Sequence, residues 1–396
     1  MRLDFNKIWE KIENLPWVAL VTSGRNGSDY FQSLLDCHPE VFVFRGDLLF
    51  HRQFWGNSQC AKYQGKVCAE DILDEFIGKY IHKLKSKYDY LEGADQLGED
   101  KNESININSN EFRKICVGLA NLRPITSKYF LQSIYAAYAL CLGQDIERKR
   151  IFFHHVHHIW DLDDYLKDFP QSKIISMTRD PRASFVSGVE SFRRFNTELF
   201  DTPHRVFFTL HRIVEDAQPL KKYSNEFKVL RLETLEDEKV LKGVCKWLNI
   251  YYEPSMKEST WNGLRWYGDS LSVQPKYKDH EQFSKEIRRN KWKKNLNYID
   301  KLLFNYLFAD RLELFEYEFK ETKGFWHGIL IWFSIFIPTT YERRHLSLRF
   351  QIRWLKSRDY KNMLSVFYYY IKRIILFNKL FYNKHLGDQF NLPYFH

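Results

Sequence analysis

Among the six cysteines, at positions 37, 60, 68, 116, 141 and 245, no two stand in CxxC spacing. That absence argues against a zinc ribbon and predicts free thiols in a reducing compartment instead of a disulfide framework. Long apolar runs are missing too. The stretch MRLDFNKIWEKIENLPW is charged throughout and has no apolar core of a signal peptide, so a cytoplasmic protein is expected. The most apolar stretch, GFWHGILIWFSIFIP, is shorter than the about 20 residues that span a bilayer. No cluster shows recognised metal-ligand spacing, and no metal is expected.

What is present is a folded chain with a mild basic excess. Hydrophobic residues make up 44% and charged residues 28% of the 396 positions, which excludes disorder and allows one large domain with an accessory region. A net charge of +10 favours an anionic partner. No nucleic-acid reading module accompanies it, so a charged cofactor or an anionic membrane surface is expected in place of nucleic acid.

Strands and helices alternate. Trp17 to Val21 is a short continuous apolar run, as buried parallel strands are, followed by the turn residues TSGRNGS. Phe31, Leu34 and Leu35 then stand at helical spacing, and His38–Pro39 ends that helix. KIISMT, Lys173 to Thr178, predicts a second strand, and Asp180 with Pro181 is a strong helix start. FKVLRL, Phe227 to Leu232, predicts a third, with a helix near Lys239 to Leu248. The fold class is therefore α/β, a parallel sheet flanked by helices. A polar insertion is expected at about 91–109.

The first turn has the form of a phosphate-binding loop. A buried strand, a glycine-containing turn and a helix start aim backbone N–H groups at one point, where the helix dipole also favours an anion. Gly24 and Gly27 let the backbone curl, Arg25 adds a charge and Ser28 a hydroxyl. No lysine follows Gly27, so the Walker pattern of magnesium-dependent nucleotide hydrolases is absent. A second anion element is KIISMTRDPRASFVSG, in which Arg179 ends a strand and Ser187 lies eight positions on.

Together the two segments resemble the sulfotransferases that use 3′-phosphoadenosine 5′-phosphosulfate (PAPS). The resemblance implies that SGRNGSD, Ser23, Gly24, Arg25, Asn26, Gly27, Ser28 and Asp29, holds the 5′-phosphosulfate. It implies that Arg179 and Ser187 hold the 3′-phosphate. LLDCHPEV, YLKDFPQSKII, VLRLETL and RRNKWKKNLNYIDKLLFNYLF, with Trp292, extend the likeness over about residues 15 to 318. Arg288 and Arg289 precede that tryptophan and are carried over as further cofactor residues, although the glycine-rich grip of the family is missing there. Asp29 departs from the Ser or Thr usual after the loop serine, and is expected to point away or to pair with Arg25. A lysine for the leaving phosphate is also missing, with Arg25 its expected replacement.

Sulfuryl transfer needs a base for the acceptor hydroxyl. FFHHVHH offers His154, His155, His157 and His158 where similar proteins carry a catalytic His or Glu, with His155 and His157 leading and His154 next. If the segment is extended, His155 and His157 share one face. Asp47, with His51, is a second candidate. The expected reaction moves a sulfuryl group from PAPS to a hydroxyl of a carbohydrate or lipid-linked glycan. The rival expectations are a nucleotide-dependent kinase-like transferase and a non-catalytic anion-binding protein on the same fold.

Residues 1–320 are read as the sulfotransferase-like domain and 321–396 as an aromatic and basic, mainly helical extension. HLSLRFQIRW alternates like a strand or amphipathic ribbon, and NMLSVFYYYIKRIILFNKLFYNKH mixes aromatics with Lys and Arg as interfacial helices do. Peripheral docking on an anionic membrane is expected from it, against the plainer expectation of an aromatic helical cap on the main domain.

Overall fold

The structure, a computed structural model, describes residues 3–58, 68–85, 97–190, 203–216, 218–268, 279–288, 292–320, 325–383 and 393–395. Its centre is a five-stranded sheet whose strands are β1 (Trp17–Thr22), β2 (Val41–Val43), β3 (Ile151–His158), β4 (Lys173–Thr178) and β5 (Phe227–Arg231). They lie in the order β2-β3-β1-β4-β5, all parallel. Every residue of β1 is buried, as a strand with neighbours on both edges and helices around it requires. Each buried Val or Leu there contributes roughly 1.5–3 kcal/mol. Trp17 stacks on Phe152 of β3 at 4.4 Å and on Phe169 at 3.9 Å, tying β1 to its neighbours.

The helices used below are α1 (Phe5–Ile12), α2 (Ser28–Leu34), α3 (Ala69–Leu84), α4 (Ser109–Ala120), α5 (Ser127–Cys141), α6 (Leu162–Asp168), α7 (Pro181–Glu190) and α8 (Pro203–Glu215). They continue with α9 (Glu238–Leu248), α10 (His280–Arg288), α11 (Tyr298–Leu307), α12 (Phe325–Ile335), α13 (Leu348–Lys356) and α14 (Tyr360–Asn383). Asp180 does begin α7, its carboxylate accepting from the Arg182 N–H at 2.9 Å. Of the polar insertion, the described part from 97 is anchored and not a free surface loop. Leu97, Ile105 and Ile107 are buried, and Leu97 pairs with Trp266.

The C-terminal segment corrects one expectation. HLSLRFQIRW is not a strand or ribbon: Leu348–Lys356 is helical, and its apolar residues Leu348, Ile352 and Leu355 fall at helical spacing. Part of the segment is core. Ile331, Ile335 and Phe377 are fully buried, and the buried Arg373 pairs with Glu342 at 3.2 Å. The chain end covers the β5 edge, where the Val229 N–H donates to Pro393 O at 2.7 Å and the Phe395 N–H to Val229 O at 3.1 Å. No helix of the described residues is long and apolar enough to cross a membrane.

Candidate active site

The loop after β1 sits at the carboxyl edge of the sheet, between the ends of β3 and β4. Its backbone enters left-handed space at Gly24 (φ 106°), Arg25 (φ 55°) and Gly27 (φ 82°), the last of these opening α2. A Cβ on Gly27 would collide with the Leu232 side chain, so the position needs glycine for space as well as conformation. Side chains lock the curl. Asp216 accepts from Ser23 Oγ at 2.8 Å and Thr178 Oγ1 at 2.6 Å. The Asn26 amide donates to Ser23 Oγ (2.8 Å) and Met177 O (3.2 Å) and accepts from Ser184 Oγ of α7 (2.6 Å). Ser23 and Asn26 thus brace the loop with their side chains.

Arginines gather above this loop. Arg25 lines a shallow pocket together with Ser23, Gly24, Gly188, Arg205 and Arg212. On the β4 side, Arg179 is half-buried, with Glu233 at 4.0 Å from its Nε. Burial, and then the Arg25 charge among its neighbours, lowers the Arg179 pKa, while Glu233 and Asp180 oppose that. Burial pushes Arg205 down to about 10, with the charges of Arg212 and Arg25 adding to it. An anion at the loop offsets the positive charge of Arg25 and its neighbours. Ser187 lies one turn beyond Ser184, whose hydroxyl already reaches the loop, and so stands on the loop-facing side of α7. The β1 loop with Arg25, and Arg179 with Ser187, fit a ligand bearing two phosphate-type groups, while Arg205 and Arg212 line the pocket beside the loop.

The histidines lie on the other flank, at the end of β3. Leu20 pairs with His155 and Val21 with His157, so Val156 is an extra residue, and His157 takes φ 73°. This bulge brings His157 Nδ1 to 3.2 Å from His155 Nε2. Hydrogen-bond partners assign the protons. His155 Nδ1 faces Gln32 Oε1 at 3.1 Å and Asp29 Oδ1 at 3.4 Å, both acceptors. The Gln32 amide is oriented by donating to Phe44 O and Gly46 O. His155 therefore carries its proton on Nδ1 and accepts at Nε2 from the His157 Nδ1–H, which leaves His157 Nε2 with its lone pair. Burial, reinforced by His157, pushes His155 down to about 3, so it stays neutral in this role.

Asp47 completes the cluster. Its carboxylate stands 3.8 Å from His157 Nδ1 and 3.3 Å from the buried Lys83 Nζ. Burial pushes that carboxyl up, but Lys83 and the two histidines outweigh it and hold it below its ordinary 3.8.

A family model described as "Sulfotransferase family" matches residues 16–258. The chain belongs to the sulfotransferase family. Among solved structures it is similar to the sulfotransferase domain from the Synechococcus PCC 7002 olefin synthase, at 16% identity and a TM-score of 0.38, over 77% of this chain and 96% of that one. No curated protein matches it.

This sulfotransferase revises several sequence expectations. His154 is not at the site: its Nδ1 meets the Tyr135 hydroxyl at 2.9 Å and its ring stacks on Tyr165, both buried. Strand alternation sends it to the face opposite His155. His51 does not partner Asp47 but Asp168, at 3.0 Å. Asp29 approaches His155, which explains how a carboxylate is tolerated beside an anion loop. Arg288 bonds the Tyr30 hydroxyl at 3.2 Å and Glu236 at 2.7 Å, near α2, and Arg289 lies outside the described residues. Trp292 donates to Asp180 at 3.1 Å and packs under Arg182 at 4.0 Å, so it holds the start of α7. Sequence reasoning missed Lys83, Gln32, Arg205, Arg212 and Asp216. Only Lys83 left a trace, as a lysine in register with the buried Phe76, Tyr80 and Leu84 of α3.

Proposed function

We propose that this sulfotransferase moves a sulfuryl group from PAPS to a hydroxyl of a carbohydrate or lipid-linked glycan. The observation that carries the reading is the convergence of the β1 loop and Arg179 at one edge of the sheet, with a histidine relay beside them. Bound there, the donor supplies the sulfuryl group and departs as adenosine 3′,5′-bisphosphate. The Gly24–Ser28 backbone and Arg25 offset the charge of the phosphosulfate, and Arg179 with Ser187 fixes the 3′-phosphate. His157 Nε2 takes the acceptor proton as the new S–O bond forms and the bond to the phosphate breaks. Asp47 then faces an imidazolium, and Lys83 keeps Asp47 ionised and in place.

Calorimetric titration with adenosine 3′,5′-bisphosphate tests the donor. The protein is expected to bind it far more tightly than ATP–magnesium, and Arg179→Ala to weaken it by about 10- to 100-fold, the value of a charge-assisted bond pair. Preference for ATP–magnesium would favour a kinase-like transferase.

A glycan acceptor on a lipid fits the C-terminal helices. Of 22 exposed large hydrophobic side chains among the described residues, 15 lie between Trp326 and Tyr382, which sets this region apart from an ordinary surface. On α14, Tyr360, Leu364, Phe367, Ile371 and Ile375 form one exposed stripe, while Val366, Arg373 and Phe377 face inward. Arg349, Arg353, Lys356, Lys361 and Lys379 accompany the exposed apolar residues of α13 and α14, a pairing suited to anionic lipid. The plainer expectation of a packed cap holds for one side of these helices and membrane docking is proposed for the other. Cosedimentation with phosphatidylglycerol vesicles, lost in pure phosphatidylcholine and weakened at about 1 M salt where charges are screened within about 3 Å, is the expected result. Equal partition into both vesicle types, or into neither, would remove the docking proposal.

A further inference from the structure

The pocket beside the loop has a wall that neither cofactor motif accounts for. α8 contributes Arg205, Phe208 and Arg212 to it, and Phe208 is 41% exposed despite its size. Arg205 donates from Nε to Gly188 O at 2.9 Å, which fixes its stem against α7. Arg212 reaches across the loop. A Cβ built on Gly24 would lie 3.5 Å from its Nη1, and its guanidinium stands 5.4 Å from the centre of the Trp160 ring. Trp160, 43% exposed, stacks on His158 with centroids 4.2 Å apart and planes 20° apart, and His158 lies 4.3 Å from His157. Exposed aromatic faces, two arginines and the proton-accepting histidine are therefore contiguous.

Sheet order says which reactant this wall serves. β3 and β4 flank β1 on opposite sides, with the 3′-phosphate pair Arg179 and Ser187 on the β4 side. Arg212, although it comes from the chain between β4 and β5, ends against Trp160 at the β3 side, where the acceptor hydroxyl must meet His157. An exposed indole suits the apolar face of a sugar ring, and a guanidinium beside it suits a planar or tetrahedral oxyanion.

We infer that Arg205, Arg212 and Trp160 form the acceptor subsite, and that the acceptor is an acidic molecule bearing an oxyanion next to the ring that rests on Trp160. This deepens the proposed function, because the assignment of the wall to the acceptor rests on that reading. Arg25 then stands between the acceptor's oxyanion and the sulfuryl group. The two arginines favour acceptors that already carry a carboxylate, sulfate or phosphate over neutral ones.

The test uses two ligands that differ by one charge, 4-nitrophenyl β-glucuronide and 4-nitrophenyl β-glucoside, titrated into the full chain with and without saturating bisphosphate. The glucuronide is expected to bind at least about tenfold more tightly, the size of one charge-assisted contact. Arg212→Ala and Arg205→Ala should each reduce that preference, Arg212→Lys should keep part of it, and Trp160→Ala should weaken both glycosides alike. Bisphosphate affinity should stay within about twofold in all four variants, which a merely structural role or a misfolded protein would not give. Equal binding of the two glycosides, binding of neither, or a preference that survives both alanine variants would overturn the inference. So would a tenfold loss of bisphosphate affinity in the arginine variants, which would assign these side chains to the donor. Failure of the unsubstituted protein to bind bisphosphate counts against the proposed donor alone, since the nucleotide-free glycoside titration reads the anion subsite separately.

Discussion

Replacing Asp216 by alanine is expected to cost the fold about 3–5 kcal/mol, the loss found when one partner of a buried ion pair is removed. Asp216 holds three groups at once: Ser23 Oγ, Thr178 Oγ1 and the Arg311 guanidinium 3.7 Å away. Both members of the pair are buried, Arg311 to within 2% and Asp216 to within 5% exposure. Arg311 also donates to the carbonyls of Ile213 and Val214, which keep it in place whether or not the carboxylate is there. The variant would therefore bury a cation without its counter-charge and release the serine that begins the anion loop. Denaturant unfolding should show the whole loss. Asp216→Asn, which keeps an acceptor for one hydroxyl but no charge, should recover only part of it. A change under about 1 kcal/mol in Asp216→Ala would mean that Arg311 is satisfied by its carbonyls alone and that the loop does not depend on this carboxylate.

The same residue shows why the site was only half legible. Ser23 and Asp216 are 193 positions apart, and nothing local marks Asp216 among the acids that end helices. The β1 loop, β4 with its Asp180–Pro181 helix start, and β5 were readable because each is a local pattern: a continuous apolar run followed by turn or cap residues. The histidine strand was readable as a place but not as a geometry. Its bulge at Val156 arises from pairing with β1, and that pairing decides that His155 and His157 touch while His154 turns into the core. Asp47 and His51 are close in sequence, yet Lys83 and His157 come to the carboxylate from α3 and β3 while His51 pairs with Asp168. In α13 the alternation of apolar and polar residues satisfied period two, yet Leu348, Ile352 and Leu355 equally satisfy the helical period. Short runs carry that ambiguity, and only neighbouring elements resolve it.

Substituting His157 by alanine is expected to lower sulfuryl transfer by about 10²- to 10⁴-fold, the range for loss of a general base, while bisphosphate affinity stays within about twofold. The rate is read as donor converted to bisphosphate, with a supplied hydroxyl or water as acceptor. Proton placement makes His157 the basic group. Gln32 and Asp29 hold the proton of His155 on Nδ1, His155 Nε2 holds that of His157 on Nδ1, and His157 Nε2 is left as the basic atom. Gln32→Leu removes the acceptor that sets this order, and so should slow transfer without touching the donor site. It should do so less than His157→Ala, since Asp29 still faces His155. His154→Phe is the contrasting variant. Its ring is packed against Tyr165 and Trp17 on the far face, so its effect should fall on stability and leave transfer within about threefold. A rate within tenfold of the unsubstituted protein would move the base to Asp47. Asp47→Asn would then be the variant that abolishes transfer, and His157 would be left as the group that orients it.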